Sequence, residues 1–158
     1  MSLLEFLKPE AVMPVLKSTS KKQALADISA HAAQLIGRDK NEIYEVLLQR
    51  ERLGSTGIGE GIAIPHGKLP RLENLFGLIA RLEKPIDFEA MDGQPVDILF
   101  LLLAPEGAGA DHLKGLSQVA RILRDQEVLE RLRAARDPID IYEIMTEPPA
   151  QSSKAASR

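Results

Sequence analysis

The sequence predicts an α/β sandwich, a fold in which helices pack on the faces of a β-sheet. Two helical patterns precede three apolar extended segments, and further helical patterns follow the longest of these segments. That segment, residues 96–103, is continuous rather than alternating in its apolar residues, as expected of a central strand covered on both faces. A length of 158 residues, with 44% hydrophobic and 27% charged residues, fits one folded domain.

The first two predicted elements are helices. A capping-box start signal at Ser20, an apolar stripe of helical period and a stop signal at Gly37 predict a helix over about residues 21–36. Asp39 repeats the start signal, which predicts a second helix over about residues 40–52.

The middle of the chain combines a glycine-rich stretch with extended segments. Four glycines fall within residues 54–61, which predicts a loop. Apolar runs at residues 62–64, 76–82 and 96–103 predict three strands.

Three further helices are expected in the last third of the chain. An apolar stripe predicts a helix over about residues 111–124, and a shorter stripe predicts a fourth helix around residues 128–132. Asp137 and Pro138 suit the N-cap and the first residue of a fifth helix. We expect the polar, proline-led tail over residues 147–158 to be disordered.

Composition excludes several classes of function. A net charge of -3 and 4% aromatic residues provide neither the basic surface nor the stacking platforms of a nucleic-acid-binding protein. The absence of cysteine removes disulfides, thiolate zinc sites and cysteine nucleophiles, and it suits a reducing compartment. With no apolar stretch near the length of a membrane span and no secretory signal, we expect a cytoplasmic protein without membrane insertion.

Three histidines are candidates for chemistry. His31 lies beside the apolar stripe of the first predicted helix, which favours a structural role. His66 follows a short apolar strand, and in open α/β sheets ligands bind at the carboxyl ends of strands, although an ordinary turn histidine is equally compatible. His112 lies in the first turn of a helix, where backbone amides favour an anion, unless its side chain merely faces solvent.

Two chemistries could use His66 and His112 together. A metal site would need a third ligand from Asp111 or Glu60, and the spacing gives this only weak support. Phosphoryl chemistry suits a neutral imidazole nucleophile beside anion-favouring loops. Neither the Walker A pattern nor the dinucleotide fingerprint is complete in the glycine-rich stretch, which argues against a nucleotide.

The residues from Arg50 to Lys68 resemble the active-site signature of the IIA phosphocarriers of the bacterial phosphoenolpyruvate-dependent phosphotransferase system, in their mannitol/fructose class. The segment GSTGIG, followed by IAIPHGKL, is most similar to the nitrogen-regulatory branch. The resemblance implies a IIA domain over residues 1–146, built as a small mixed β-sheet flanked by about five helices.

The resemblance also implies roles for individual residues. His66 would accept the phosphoryl group, His112 would assist without being phosphorylated, and Arg50 would face the phosphoryl oxygens. Three further residues of the motif are supporting candidates: Ser55, Thr56 and Glu60.

A helical wheel separates Arg50 from its neighbour Arg52. Arg50 projects into the apolar arc of the second predicted helix, whereas Arg52 projects among polar residues. A guanidinium on the buried side needs a partner, which could be a phosphorylated His66 or a carboxylate such as that of Glu60.

We therefore expect a protein phosphohistidine phosphotransferase that needs neither cofactor nor metal. Its donor would be a histidine-containing phosphocarrier protein, and its phosphorylation state would regulate target proteins. One alternative is a sugar-specific IIA subunit for mannitol or fructose uptake. Others are a metal-dependent hydrolase that uses His66, His112 and Asp111, and a regulatory domain without catalysis.

Overall fold

The computed structural model describes residues 2–147 of the chain. Within them, a 3-10 helix at Leu3–Glu5 precedes six strands and five α-helices. The strands are β1 (Leu7–Leu16), β2 (Gly57–Gly59), β3 (Ile62–Ala63), β4 (His66–Leu69), β5 (Phe76–Ile86) and β6 (Val96–Pro105). The α-helices are α1 (Lys21–Ile36), α2 (Lys40–Arg52), α3 (Gly109–Leu123), α4 (Gln126–Ala134) and α5 (Pro138–Thr146).

The strands form one mixed sheet in the order β1-β5-β6-β3-β2, with β4 also pairing with β6. Strand β6 is antiparallel to β5 and parallel to both β3 and β4. The last two follow one another along the same side of β6, since Ile62 lies opposite Ile98 and His66 lies opposite Leu102. The predicted α/β class, the mixed sheet and the five flanking helices are confirmed.

Helices pack on both faces of the sheet around β4. Gly67 meets α2 so closely that a Cβ atom at this position would lie 2.3 Å from Val46 Cγ1. His66 precedes Gly67 in the strand and therefore points to the opposite face. On that face Leu102 contacts α3 at Gly115, where a Cβ atom would lie 3.3 Å from the leucine side chain.

Most of the predicted helix ends agree with the observed bounds. The bounds of α1 and α2 are as predicted, and Asp137 caps α5 with Pro138 in its first turn. The third helix begins at Gly109, two residues before the predicted start.

The prediction that residues 54–61 form only a loop is wrong, because β2 lies within this stretch and pairs with β3. At Gly57 a Cβ atom would lie 2.7 Å from Ala90 Cβ. Glycine at this position therefore permits a close approach between two chain segments.

Strands β1 and β4 are absent from the sequence-based prediction. Pro9 and Pro14 interrupt the apolar pattern of β1, and the register with β5 is irregular in both intervals that contain a proline. Proline is tolerated in β1 because, among the strands of residues 2–147, it pairs with β5 alone and forms an edge. The predicted strand at residues 62–64 corresponds to β3, which ends at Ala63, and the prediction missed β4, in which the chain pairs with β6 again from His66.

Two further sequence features have a defined place. His31 donates from Nε2 to the backbone oxygen of Glu10 at 2.9 Å, in agreement with a structural role. Glu147 caps the end of α5 and pairs with Arg131, while residues 148–158 of the expected disordered tail lie outside the described residues.

None of the helices in residues 2–147 is long and apolar enough to cross a membrane.

Candidate active site

The site lies where β4 begins, and it brings two histidine rings together. His66 is the first residue of β4, and His112 is in the first turns of α3. Their ring centroids are 5.5 Å apart with an interplanar angle of 66°. The expected position of His66 at the carboxyl end of a strand is wrong, because His66 begins β4, but the two histidines are close together as their joint use requires.

The contacts of His66 define its tautomer. The Nδ1 atom lies 2.8 Å from the backbone oxygen of Ile64, which can only accept a hydrogen bond, so Nδ1 carries the proton. The Nε2 atom accepts a hydrogen bond from Nε of Arg50 at 3.3 Å, so it carries the lone pair. The nitrogen available for nucleophilic attack is therefore Nε2.

The surroundings of His66 favour its neutral form. Burial lowers the pKa of His66 below the ordinary value, and the positive charge of Arg50 lowers it further. The hydrogen bond to Ile64 and the negative charge of Glu51 oppose these effects. Because a protonated imidazole has no lone pair at Nε2, the lowered pKa keeps the ring nucleophilic.

Arg50 reaches His66 from the last turn of α2. The close packing of Val46 on Gly67 seats this helix against β4, and Arg50 follows Val46 by one turn. Its Nη1 atom donates to the backbone oxygen of Gly54 at 2.8 Å. Arg52 is exposed, which confirms the assignment of the two arginines to different sides of the helix.

His112 is buried, so the expectation of a merely solvent-facing side chain is wrong. The residue is 9% exposed, and its buried Nε2 atom has no hydrogen-bond partner among residues 2–147. Burial lowers the pKa of His112, as do the nearby charges of His66 and Lys68. An unsatisfied buried nitrogen is costly, and this one belongs to a ring whose centroid lies 5.5 Å from that of His66.

The three supporting candidates bond to residues other than His66. The carboxylate of Glu60 accepts a hydrogen bond from Gln126 of α4 at 3.0 Å. Ser55 Oγ donates to the backbone oxygen of Phe88 at 2.8 Å, and Thr56 binds Glu51 through both its amide and its hydroxyl. These contacts shape the segment that connects α2 to β3.

Sequence reasoning missed Glu51. Its carboxylate is buried and forms an ion pair with Lys21 of α1 at 2.9 Å. A charged residue next to Arg52 gave no signal of burial, because its partner lies thirty residues earlier on another helix.

Metal binding receives no support from the described part of the chain. No group of three or more His, Cys, Asp or Glu side chains in residues 2–147 is arranged so that it could hold a metal ion. The third ligand that a metal-dependent hydrolase would require from Asp111 is therefore missing from the arrangement around His66 and His112.

Comparison with known proteins identifies the family. Residues 5–147 match the family described as "Phosphoenolpyruvate-dependent sugar phosphotransferase system, EIIA 2". The chain belongs to the EIIA 2 family. The family match supports a phosphotransferase role for the chain, in accordance with the resemblance in residues 50–68.

Relatives of this EIIA 2 protein agree in sequence and in structure. A nitrogen regulatory protein of Bradyrhizobium diazoefficiens is 59% identical over 153 residues, which cover 97% of this chain and 100% of the relative. The crystal structure of the nitrogen regulatory protein IIA-Ntr from Neisseria meningitidis has a TM-score of 0.87 at 32% identity, over 92% of this chain and 100% of the other. IIA mannitol from Escherichia coli has a TM-score of 0.75 at 19% identity, over 88% and 98% of the two chains, and it shares the fold.

Proposed function

We propose that this EIIA 2 protein is a phosphocarrier of the nitrogen-regulatory branch and that it accepts the phosphoryl group on Nε2 of His66. The observation that carries the proposal is the lone pair of Nε2, which faces the guanidinium of Arg50 while Nδ1 is held by Ile64. Its similarity to nitrogen regulatory proteins, at 59% identity over nearly the whole chain, supports the assignment to this branch.

The proposed step is a direct transfer between two imidazoles. The lone pair of His66 Nε2 attacks the phosphorus atom of a phosphohistidine on the donor, and a new N–P bond forms. The N–P bond of the donor breaks, and its electron pair stays with the donor imidazole. The proton on Nδ1 of His66 remains hydrogen-bonded to Ile64, which stabilises the positive charge that the ring gains.

Three groups can bind the transferred oxygens. Arg50 can turn its fork of N–H donors from Nε2 towards the phosphoryl oxygens. His112 can donate from its unpartnered Nε2 when that atom carries the proton, and the first amides of α3 add dipoles of the same sign. These donors stabilise charge spread over equatorial oxygens, so the proposed transfer needs neither a cofactor nor a metal.

The donor is proposed to be a small histidine-containing phosphocarrier protein that docks over His66. Leu53, at the end of α2, is 84% exposed, and Leu113, next to His112, is 66% exposed. These two leucines offer apolar contact area beside the site, as suits a small, transient interface. Regulation of target proteins according to phosphorylation state, in the cytoplasm, completes the proposal.

A sugar-specific IIA subunit for mannitol or fructose uptake is the alternative. It has less support, because a fructose-specific relative is 36% identical over 78% of this chain and the mannitol protein is related at the level of the fold, whereas the nitrogen regulatory relative is 59% identical over 97% of this chain.

Intact-mass spectrometry tests the proposal. The protein is incubated with phosphoenolpyruvate, the first enzyme of the system and its phosphocarrier. We expect a gain of one acid-labile phosphoryl group in the wild type and in a control variant, His31→Ala, and no gain in His66→Ala. Nitrogen NMR of the product should place the phosphorus on Nε2. Phosphorylation of His66→Ala, or an unmodified wild type, overturns the proposal.

A further inference from the structure

The residue after Arg50, Glu51, forms a part-buried ion pair with Lys21. Glu51, in the last turn of α2, is 8% exposed, and Lys21, the first residue of α1, lies 2.9 Å from its Oε1 atom. A buried carboxylate is costly unless it is paired and fully hydrogen-bonded. Glu51 meets this condition by also accepting hydrogen bonds from the amide of Thr56, at 3.1 Å, and from the Thr56 hydroxyl.

These bonds close a tight turn that contains the Gly54 carbonyl group, which accepts a hydrogen bond from Arg50. The turn runs from Glu51 to Thr56, and Gly54 lies inside it, with its amide bonded to the backbone oxygen of Glu51 at 3.0 Å. A Cβ atom built on Gly54 would find nothing within 4 Å. Hydrogen bonds rather than side-chain packing therefore fix the Gly54 oxygen, which accepts the bond from Arg50 Nη1.

We propose that Glu51 is a positioning residue for phosphoryl transfer, because its carboxylate, held by Lys21, fixes the turn that aims the Arg50 guanidinium at His66. The inference rests on the proposed function of His66 as the phosphoryl acceptor. The contacts form a continuous series. The Glu51 carboxylate accepts two hydrogen bonds from Thr56 and so closes the turn that contains Gly54. The Gly54 oxygen then accepts a hydrogen bond from Nη1 of the guanidinium. The Nε atom is thereby aimed at Nε2.

Lys21 ties the same turn to a second segment. Its Nζ atom lies 3.3 Å from a carboxylate oxygen of Glu89 and 4.9 Å from the centre of the Phe88 ring. The backbone oxygen of Phe88 in turn accepts the hydrogen bond from Ser55 within the turn. The turn is thus closed by the bonds between Glu51 and Thr56, and Ser55 connects it to the segment that Lys21 contacts.

The charge of Lys21 has a second effect on the site. The carboxylate of Glu51 raises the pKa of His66, so it is electrostatically coupled to the imidazole. The same negative charge would repel an incoming phosphoryl group, and the ammonium group beside it offsets this repulsion. The ion pair therefore provides a hydrogen-bond acceptor for the turn while contributing little net charge.

Single-turnover transfer from the phosphorylated donor tests the inference. We expect Glu51→Ala and Thr56→Val to lower the maximal rate by at least about tenfold, because a misplaced donor loses orientation in the transition state. The donor concentration for half-maximal rate should not change, since neither side chain reaches the surface where the donor docks. Thr56→Ser keeps the hydroxyl and should restore the wild-type rate. Glu42→Ala, which removes the ion pair between Arg38 and the first turn of the same helix, is the matched control and should not change the rate.

Proton NMR provides a readout that a purely structural role would not move. In the wild type, the N–H group at Nε of Arg50 donates to Nε2 of His66, so its proton should exchange slowly with water. In Glu51→Ala it should exchange faster, while His66 keeps its proton on Nδ1. If Glu51→Ala does not fold, the pair Thr56→Val and Thr56→Ser provides the same comparison.

The outcomes separate the two proposals. A wild type that is not phosphorylated on His66 overturns the proposed function. A wild type that is phosphorylated, with unchanged rates and unchanged Arg50 proton exchange in folded Thr56→Val and Glu51→Ala, overturns the positioning role alone. Loss of rate without rescue by Thr56→Ser also overturns it, since the effect would not come from the hydroxyl contact.

Discussion

The Nε atom of Arg50 donates to the Nε2 atom of His66 at 3.3 Å, so the guanidinium occupies the position that a phosphoryl group would take. For the nitrogen to attack phosphorus, the guanidinium must leave the lone pair and bind the oxygens instead. Its other end stays on the Gly54 oxygen. In the proposed transfer, the contact would orient the imidazole beforehand, and the same donors would bind the phosphoryl group afterwards.

Arg50 and Arg52 provide the first prediction. Arg50→Ala should slow single-turnover transfer by about a hundredfold, the usual scale for a lost transition-state donor. Arg50→Lys should also slow it, because a lysine cannot reproduce the forked geometry. Arg52→Ala should stay within about threefold of wild type, since this side chain is exposed. Equal losses in the two alanine variants, at matched melting temperatures, would contradict the assignment.

His112 provides the second prediction. His112→Ala should slow transfer by roughly a hundredfold without abolishing it, because the nucleophile itself is unchanged. His112→Gln keeps an N–H donor and should lose less. The measurement is the single-turnover rate, with intact mass as a check that His66 is still the modified residue. A wild-type rate in His112→Ala would assign the histidine to packing only.

The third prediction concerns stability and pH. His66 and His112 both have a lowered pKa in the folded state, so the unfolded chain binds more protons once the pH approaches the ordinary histidine pKa of about 6.5. The stability that these residues contribute is present above that value and is lost as the pH falls below it. Urea unfolding between pH 8 and pH 5.5 should show the loss, and it should be smaller in His66→Gln and His112→Gln. An equal pH dependence in all three proteins would contradict the direction of the shifts.

Much of the site could be predicted because its signals are local. Helical periodicity alone places Arg50 on the buried side of α2. The apolar strand before His66 singled this residue out, but it did not show that the chain pairs with β6 again from His66 onward. Glu51 could not be found in this way, because its burial depends on Lys21 from another helix. Glu60 was expected near the site, but its carboxylate reaches Gln126 of α4, a contact between residues 66 positions apart.

The same distinction applies to the strands: those with a local sequence signal were predicted, and those that depend on their position in the sheet were missed. The apolar run of β6 is visible in the sequence because burial on both faces needs no partner-specific pattern. Strand β1 was missed because Pro9 and Pro14 argue against a strand unless its position at the sheet edge is known. The pairing of β2 was missed because glycines that permit close approach look like glycines that form turns.

The last prediction concerns Gly67, the residue after the proposed nucleophile. A Cβ atom here would lie 2.3 Å from Val46 Cγ1, so Gly67→Ala must displace Val46, and we expect α2 to move away from β4 because a valine side chain has little rotational freedom in a helix. Overpacking of this kind costs about 1–3 kcal/mol of unfolding free energy. It should also slow transfer, because Arg50 follows Val46 by one turn of the displaced helix.

Val46→Ala removes the clashing methyl groups, so the double variant Val46→Ala/Gly67→Ala should recover part of both losses. Gly107→Ala is the matched control, because a Cβ atom there meets nothing within 4 Å. Urea unfolding and single-turnover transfer measured on the four variants decide the question. If Gly67→Ala loses stability but transfers at the wild-type rate, then the seating of α2 on β4 does not control the approach of Arg50 to His66.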